Sequence, residues 1–133
     1  MSDLTELITG LPCFKAPSNI TPLGGGITNT NVTVEDEDCK YVVRIGSDIA
    51  EHGVMRWNEL ALSQAAYKLG ISPKVIYHKT GVLVLEFIDA YTLDEAAVRE
   101  PKNLIRIINL VAKTHRGIGK YLHSPILTFW PLD

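Results

Sequence analysis

Residues 22 to 34 read PLGGGITNTNVTV, and their types are those of an anion cradle. Gly24, Gly25 and Gly26 let the backbone take positive φ and let a ligand approach closer than a Cβ would permit. Successive N–H groups in such a turn can converge on an anion. Thr28 and Thr30 add hydroxyl donors, and Asn29 and Asn31 add amide donors, a set that suits a polyphosphate. Taken by itself the stretch also reads as a plain glycine-rich hairpin turn. Neither nucleotide fingerprint fits. There is no GxxxxGK[ST], and the loop leads into a strand instead of opening a helix, which excludes a dinucleotide-binding unit.

A polyphosphate needs a cation, and Arg44 in "KYVVRIG" is the candidate. Strand alternation puts Val43 and Ile45 on one face and Val42 with Arg44 on the other. A cation on a strand packed against other elements needs a partner. Glu59 shares a helical stripe with Leu62, Ala66 and Leu69, so it is expected to look inward and pair with Arg44. The competing arrangement is a local pair between Glu59 and Arg56, three residues back on the same helix.

The elements that must position these groups follow from pattern. A helix over 2–9 has Ser2 as its cap and ends at Gly10 and Pro12. Ile20 to Leu23 reads as a first strand. Residues 31–35 and 40–45 read as an antiparallel pair around "EDEDC", a solvated acidic turn. "RWNELALSQAAYKLGISP" is the clearest helix, closed by Gly70 in the left-handed region, Ile71 and Pro73. "KVIYH" and "VLVLEFI" read as strands across "KTG", the second covered on both faces because it lacks alternation. A short helix over 93–99 precedes a long one beginning at Pro101 and closed by Gly117. Leu104, Ile107, Ile108 and Val111 form the stripe of that long helix, and His115 falls on it as a packing histidine. The order predicts an α+β fold: a mostly antiparallel five-stranded sheet with one helix inserted after the third strand.

Composition bounds the function. With 133 residues, 46% of them hydrophobic and 21% charged, the chain has the make-up of one soluble globular domain. It carries 13 basic and 15 acidic residues, net −2, without a basic cluster, so nucleic acid is not an expected partner. Cys13 and Cys39 have no CxxC spacing and read as reduced thiols of a cytoplasmic protein. The acidic start is too polar for a signal peptide, and no apolar run approaches the ~20 residues of a membrane helix. His52, His78 and His123 have no metal-site spacing, and no metal ligand is assigned.

In order and spacing these segments resemble the small lobe of the choline/ethanolamine kinase and aminoglycoside phosphotransferase superfamily, which has a protein-kinase-like fold. "GGGITNTNVTV" resembles that group's phosphate loop. "YVVRIG" is similar to its third strand, where choline kinases carry arginine in place of lysine. "NELALSQAAYKLGISPKVIY" is similar to its Glu-bearing helix and exit, and "VLVLEFIDAYTLD" to its hinge. "LVAKTHR" resembles the helix that opens the large lobe, with Thr114 where the family has Leu. The likeness runs over roughly residues 20–116. It implies a nucleotide-binding small lobe over 1–90, and over 91–133 the hinge and first helices of a truncated large lobe.

The resemblance also implies roles. Gly24 to Asn31 would cover the phosphates of ATP, Arg44 would contact the α/β-phosphates, and Glu59 would hold Arg44. The main chain of Glu86 and Ile88 would bind the adenine edge beside Phe87, with Leu85 and Val43 as apolar contacts. The family's HxDxxxxN loop and its later metal-binding aspartate do not occur. No catalytic residue is therefore assigned, and ligands for Mg²⁺ and the pocket for the small-molecule acceptor are expected outside this chain. The chain reads as the ATP-binding portion of a kinase acting on an alcohol such as choline or ethanolamine, inactive alone. The alternative is a non-catalytic nucleotide- or partner-binding module, expected to form a homodimer through an uncovered apolar face.

Overall fold

The computed structural model describes residues 2–24, 29–48 and 56–126. Its elements in chain order are α1 (Ser2–Thr9), β1 (Ser18–Pro22), β2 (Thr30–Asp36), β3 (Cys39–Ile45), α2 (Arg56–Leu69), β4 (Val75–Lys79), β5 (Val82–Glu86), α3 (Glu95–Arg99) and α4 (Pro101–Gly117), followed by one 3₁₀ turn over Ile118–Tyr121. The strands form a single sheet in the order β1-β2-β3-β5-β4, with every neighbouring pair antiparallel. The chain leaves β3, runs through α2 to the edge strand β4, and returns by a tight hairpin so that β5 pairs with β3. This is the expected α+β arrangement with one inserted helix.

Period-two alternation sends one set of β2, β3 and β5 side chains to each face. Val32, Val34, Val43, Val82 and Val84 lie on the face that α1 covers, and with Ile8, Leu11 and Phe14 they form the main buried cluster. Phe14 also stacks obliquely on Tyr41, with ring centroids 5.4 Å apart. α1 and the turns after it are thus part of the core. Val82 to Leu85 are all buried, as the unbroken apolar run requires.

The β2–β3 turn is solvated at Glu37 and Asp38, as expected, and departs from that reading only at Asp36. Glu37 takes a φ of 55°, which lets two residues close the hairpin. Asp36 is buried, and its carboxylate accepts hydrogen bonds from the backbone N–H groups of Lys15 (3.1 Å) and Ala16 (2.6 Å). An acidic run reads as solvated only while no backbone donor is near. Here the segment after α1 brings two donors to one of its carboxylates.

α2 ends as its sequence specifies. Gly70 has φ of 80°, its N–H donates to the Tyr67 carbonyl (2.9 Å), and the Ile71 N–H donates to that of Ala66 (3.0 Å). That double closure is the Schellman arrangement. α3 is capped by Asp94, whose carboxylate accepts from the Ala97 N–H at 2.8 Å. α4 begins at Pro101 and packs its last turn against α2. Gly117 is buried there, and a Cβ on it would overlap the Leu69 side chain. Most of the α4 stripe is open: Leu104, Ile108 and Val111 are exposed, and Ile107 is half-buried. His115 is exposed too, so it is not a packing histidine. The helix meets α3 at its start, where Asn103 Nδ2 donates to the Ala97 carbonyl (2.9 Å), and α2 near its end; the face His115 lies on stays exposed among the described residues. Among the described residues no helix is long and apolar enough to cross a membrane.

Candidate functional site

The site begins with strand register. Asn31 on β2, Arg44 on β3 and Leu83 on β5 stand directly opposite one another and so share a face. That face is turned away from α1. α2 lies on its side of the sheet and presents Glu59 from its first turn. Arg44 Nη1 donates to Glu59 Oε1 at 2.5 Å, and Arg44 Nε donates to Asn31 Oδ1 at 3.2 Å. The pair expected between strand and helix therefore forms. So does its competitor, since Arg56 Nη1 donates to Glu59 Oε2 at 2.8 Å. The carboxylate is shared, one oxygen to each guanidinium, and the cluster carries a net charge of +1.

The surroundings grade the three groups by exposure. The side chain of Arg56 is 15% exposed, that of Glu59 20% and that of Arg44 34%. Burial alone would raise the Glu59 pKa. The hydrogen bonds from Arg44 and Arg56, with their charges, outweigh it and hold the carboxyl below the usual carboxylate range. Glu59 is thus ionised at neutral pH. Arg44 Nη2 donates to nothing among the described residues, so the outer edge of this guanidinium is free for an anion.

Arg56 is fixed at several points. Its Nε donates to the Ser47 carbonyl (2.9 Å), and its backbone N–H donates to the Asp48 carboxylate (2.7 Å). Its Nη2 is buried without a hydrogen-bond partner among the described residues, as is Asn29 Oδ1. Both atoms crowd Gly46, where a Cβ would overlap them. Glycine at 46 is therefore a matter of room. A cavity of about 1120 Å³ borders this cluster, lined among others by Arg44, Gly46, Arg56, Trp57, Glu59 and Lys79.

Asn31 was expected to offer amide donors. Its side-chain carbonyl oxygen accepts from Arg44, which leaves the Nδ2 donor available, and its main-chain carbonyl accepts from the Leu23 N–H at 2.8 Å, closing the base of the β1–β2 loop. Gly24 and Thr30 are exposed, and space is open around the Gly24 α-carbon. Asn29 is half-buried beside Gly46. Gly25, Gly26 and Thr28 lie outside the described residues.

The hinge segment lies at the other end of β5. The Glu86 N–H donates to the Lys74 carbonyl (2.9 Å), so only the Glu86 carbonyl is left to offer a base. The Phe87 N–H donates to the Lys40 carbonyl (3.2 Å), and Lys40 Nζ sits 4.4 Å from the Phe87 ring centroid. Ile88 is exposed and forms no hydrogen bond among the described residues. Leu85 is buried on the Arg44 side, opposite Val42. Val43 is not on that side: alternation turns it into the α1 cluster, where it is fully buried. The apolar residue beside Arg44 on that face is Val42. The described residues hold no group of three or more His, Cys, Asp or Glu able to bind a metal ion.

By sequence alone Arg56 reads as a rival to Arg44, whereas it joins Arg44 on Glu59. The three-residue spacing signalled that contact, and the strand alternation signalled the other. A carboxylate has two oxygens, so both could be met at once.

An antiparallel sheet with a helix inserted between its third and fourth strands, and a strand arginine gripped by that helix, defines a kinase-like α+β lobe. A solved structure is similar in fold: an ethanolamine kinase from Plasmodium vivax, with a TM-score of 0.63 and 22% identity over 80% of this chain and 31% of that chain. The present chain thus spans less than a third of that protein. No family model and no curated protein matches the sequence.

Proposed function

We propose that this chain is the ATP-binding portion of a small-molecule kinase that phosphorylates an alcohol such as choline or ethanolamine. Residues 1–90 would form its small lobe and 91–133 the hinge and first helices of its large lobe. The single observation that carries the reading is Arg44: a strand cation held on two sides by Glu59 and Asn31, with Nη2 unpaired among the described residues. Such a group neutralises phosphate without reorganising. The glycine stretch from Gly24 to Asn31 would supply main-chain donors, and the Glu86 carbonyl with the Ile88 main chain would take the adenine edge beside Phe87. The described residues do not fit Mg²⁺, so no step is assigned to it here.

The test is thermal shift and calorimetry with Mg·ATP. The parent should bind and be stabilised. Arg44→Ala should lose about ten- to a hundredfold in affinity, the worth of one or two charge-assisted hydrogen bonds. Equal stabilisation of both proteins would overturn the role of Arg44.

A second reading has its own observation. Leu104, Ile105, Ile108, Leu110 and Val111 of α4 are all exposed, a contiguous apolar face of the kind that marks an interaction surface. On that reading the chain is a non-catalytic module that pairs with a second copy.

A further inference from the structure

We infer that Arg56 is a positioning residue for Arg44: by occupying the second oxygen of Glu59, it limits the carboxylate to a one-point grip and leaves the outer edge of Arg44 free for an anion. The inference rests on the anion-binding reading of Arg44 and deepens it.

A guanidinium and a carboxylate left to themselves favour a parallel two-point pair. Arg44 and Glu59 do not form one. Arg44 reaches Oε1 with Nη1 alone, and Oε2 is taken by Arg56 at 2.8 Å. A two-point pair would turn Arg44 Nη2 or Nε inward and cancel its charge. With Arg56 present the three side chains Arg44, Glu59 and Arg56 sum to +1, the Asp48 carboxylate lies on the Arg56 side, and Arg44 is the more exposed of the two guanidiniums. Arg56 is badly placed to bind an anion itself. Its Nε is committed to the Ser47 carbonyl, and its Nη2 is buried against Gly46 and Asn29. Its charge acts through the carboxylate it shares.

A purely structural staple is the competing role, since Arg56 Nε also ties the Ser47 carbonyl to α2, while the bond to Asp48 comes from the backbone N–H and survives either substitution below. Two substitutions separate the roles. Arg56→Met removes both functions. Arg56→Lys keeps one cationic bond to Glu59 but cannot also reach the Ser47 carbonyl, so it keeps the shared carboxylate and loses the staple. The probe is inorganic tripolyphosphate, measured by calorimetry, and the second readout is rotation of the Arg44 guanidinium about Nε–Cζ, measured by ¹⁵N NMR.

Arg56→Met should weaken tripolyphosphate binding about tenfold and slow Arg44 rotation, because Glu59 then grips it at two points. Arg56→Lys should stay within about threefold of the parent. In a Glu59→Gln background, Arg56→Met should change affinity less than twofold, since the grip it restrains is gone. Equal losses in both backgrounds, or unchanged Arg44 rotation in Arg56→Met, would overturn the inference. So would a Lys variant as weak as Met. Should Arg56→Met fail to fold, the Lys variant alone decides. If the parent binds no tripolyphosphate, the nucleotide reading falls, and Arg44 rotation still decides the role of Arg56.

Discussion

Glu59 is the residue on which most of the site depends. Its ionised form is held by two guanidiniums, so its pKa is lower in the folded chain than in the unfolded one. Between those two values the unfolded state binds more protons, and stability rises with pH there. The contribution is full above the ordinary glutamate range, about pH 4.3, and is lost as pH falls through the folded value. Glu59→Gln should therefore be about 1–3 kcal/mol less stable than the parent at neutral pH. The gap should close under acid in paired urea titrations from pH 7 to pH 3. A gap independent of pH would refute the ionic account. Asp36 is the other carboxylate that holds backbone. Asp36→Ala leaves the Lys15 and Ala16 N–H groups without their acceptor, and about 1–3 kcal/mol should be lost in chemical denaturation. Asp36 was illegible in the sequence because its partners are backbone donors some twenty residues away, which no side-chain pattern reveals. Arg44 and Glu59 were legible because alternation and helical spacing each assign a face.

At the level of elements, boundaries marked by special backbone chemistry were legible. Gly70 closes α2 where the sequence placed the stop, and Pro101 opens α4. Gly70→Ala forces a Cβ into the left-handed region and should lower stability by about 1–2 kcal/mol, read from the urea midpoint. Substitution at Gly24, where space is open, should not. The strands were legible as alternating or unbroken apolar runs, but the sides they face were only partly so. Alternation alone puts Val42 beside Arg44, whereas the adenine contact at Val43 comes only from the family resemblance and runs against that alternation. The register against Leu85 decides for Val42. α1 was legible as a helix, whereas its burial of Ile8 together with Leu11 and Phe14 under the sheet was not. Two of those three residues follow the helix end, where periodicity stops being informative.

For the whole molecule, the two faces of the sheet divide the work. One is closed by α1 into a dry core, and the other carries the cationic cluster beneath α2. The stripe of α4 left exposed among the described residues is the third surface, and it decides between the two functional readings. On the module reading, sedimentation should show association that rises with concentration, and Ile108→Asp should return the chain to monomers. A monomer at all concentrations would count against that reading. His115 shows why this surface resisted the sequence. A stripe tells which residues share a side, and nothing in it tells whether another element arrives to cover them.

The bond from Phe87 to Lys40, reinforced by the ammonium over the ring, has a mechanical consequence. Phe87 is clamped to β3, so the fulcrum for any swing of α3 and α4 against the sheet is displaced into 88–93, the span that has no regular structure. Twisting there spares the strand ladder but must part Gly117 from Leu69, where α4 packs on α2. Amide exchange would register this as a sharp step, slow at Phe87 and fast from Ile88 to Leu93. A gradual slope across Glu86 to Leu93 would put the fulcrum inside the sheet instead.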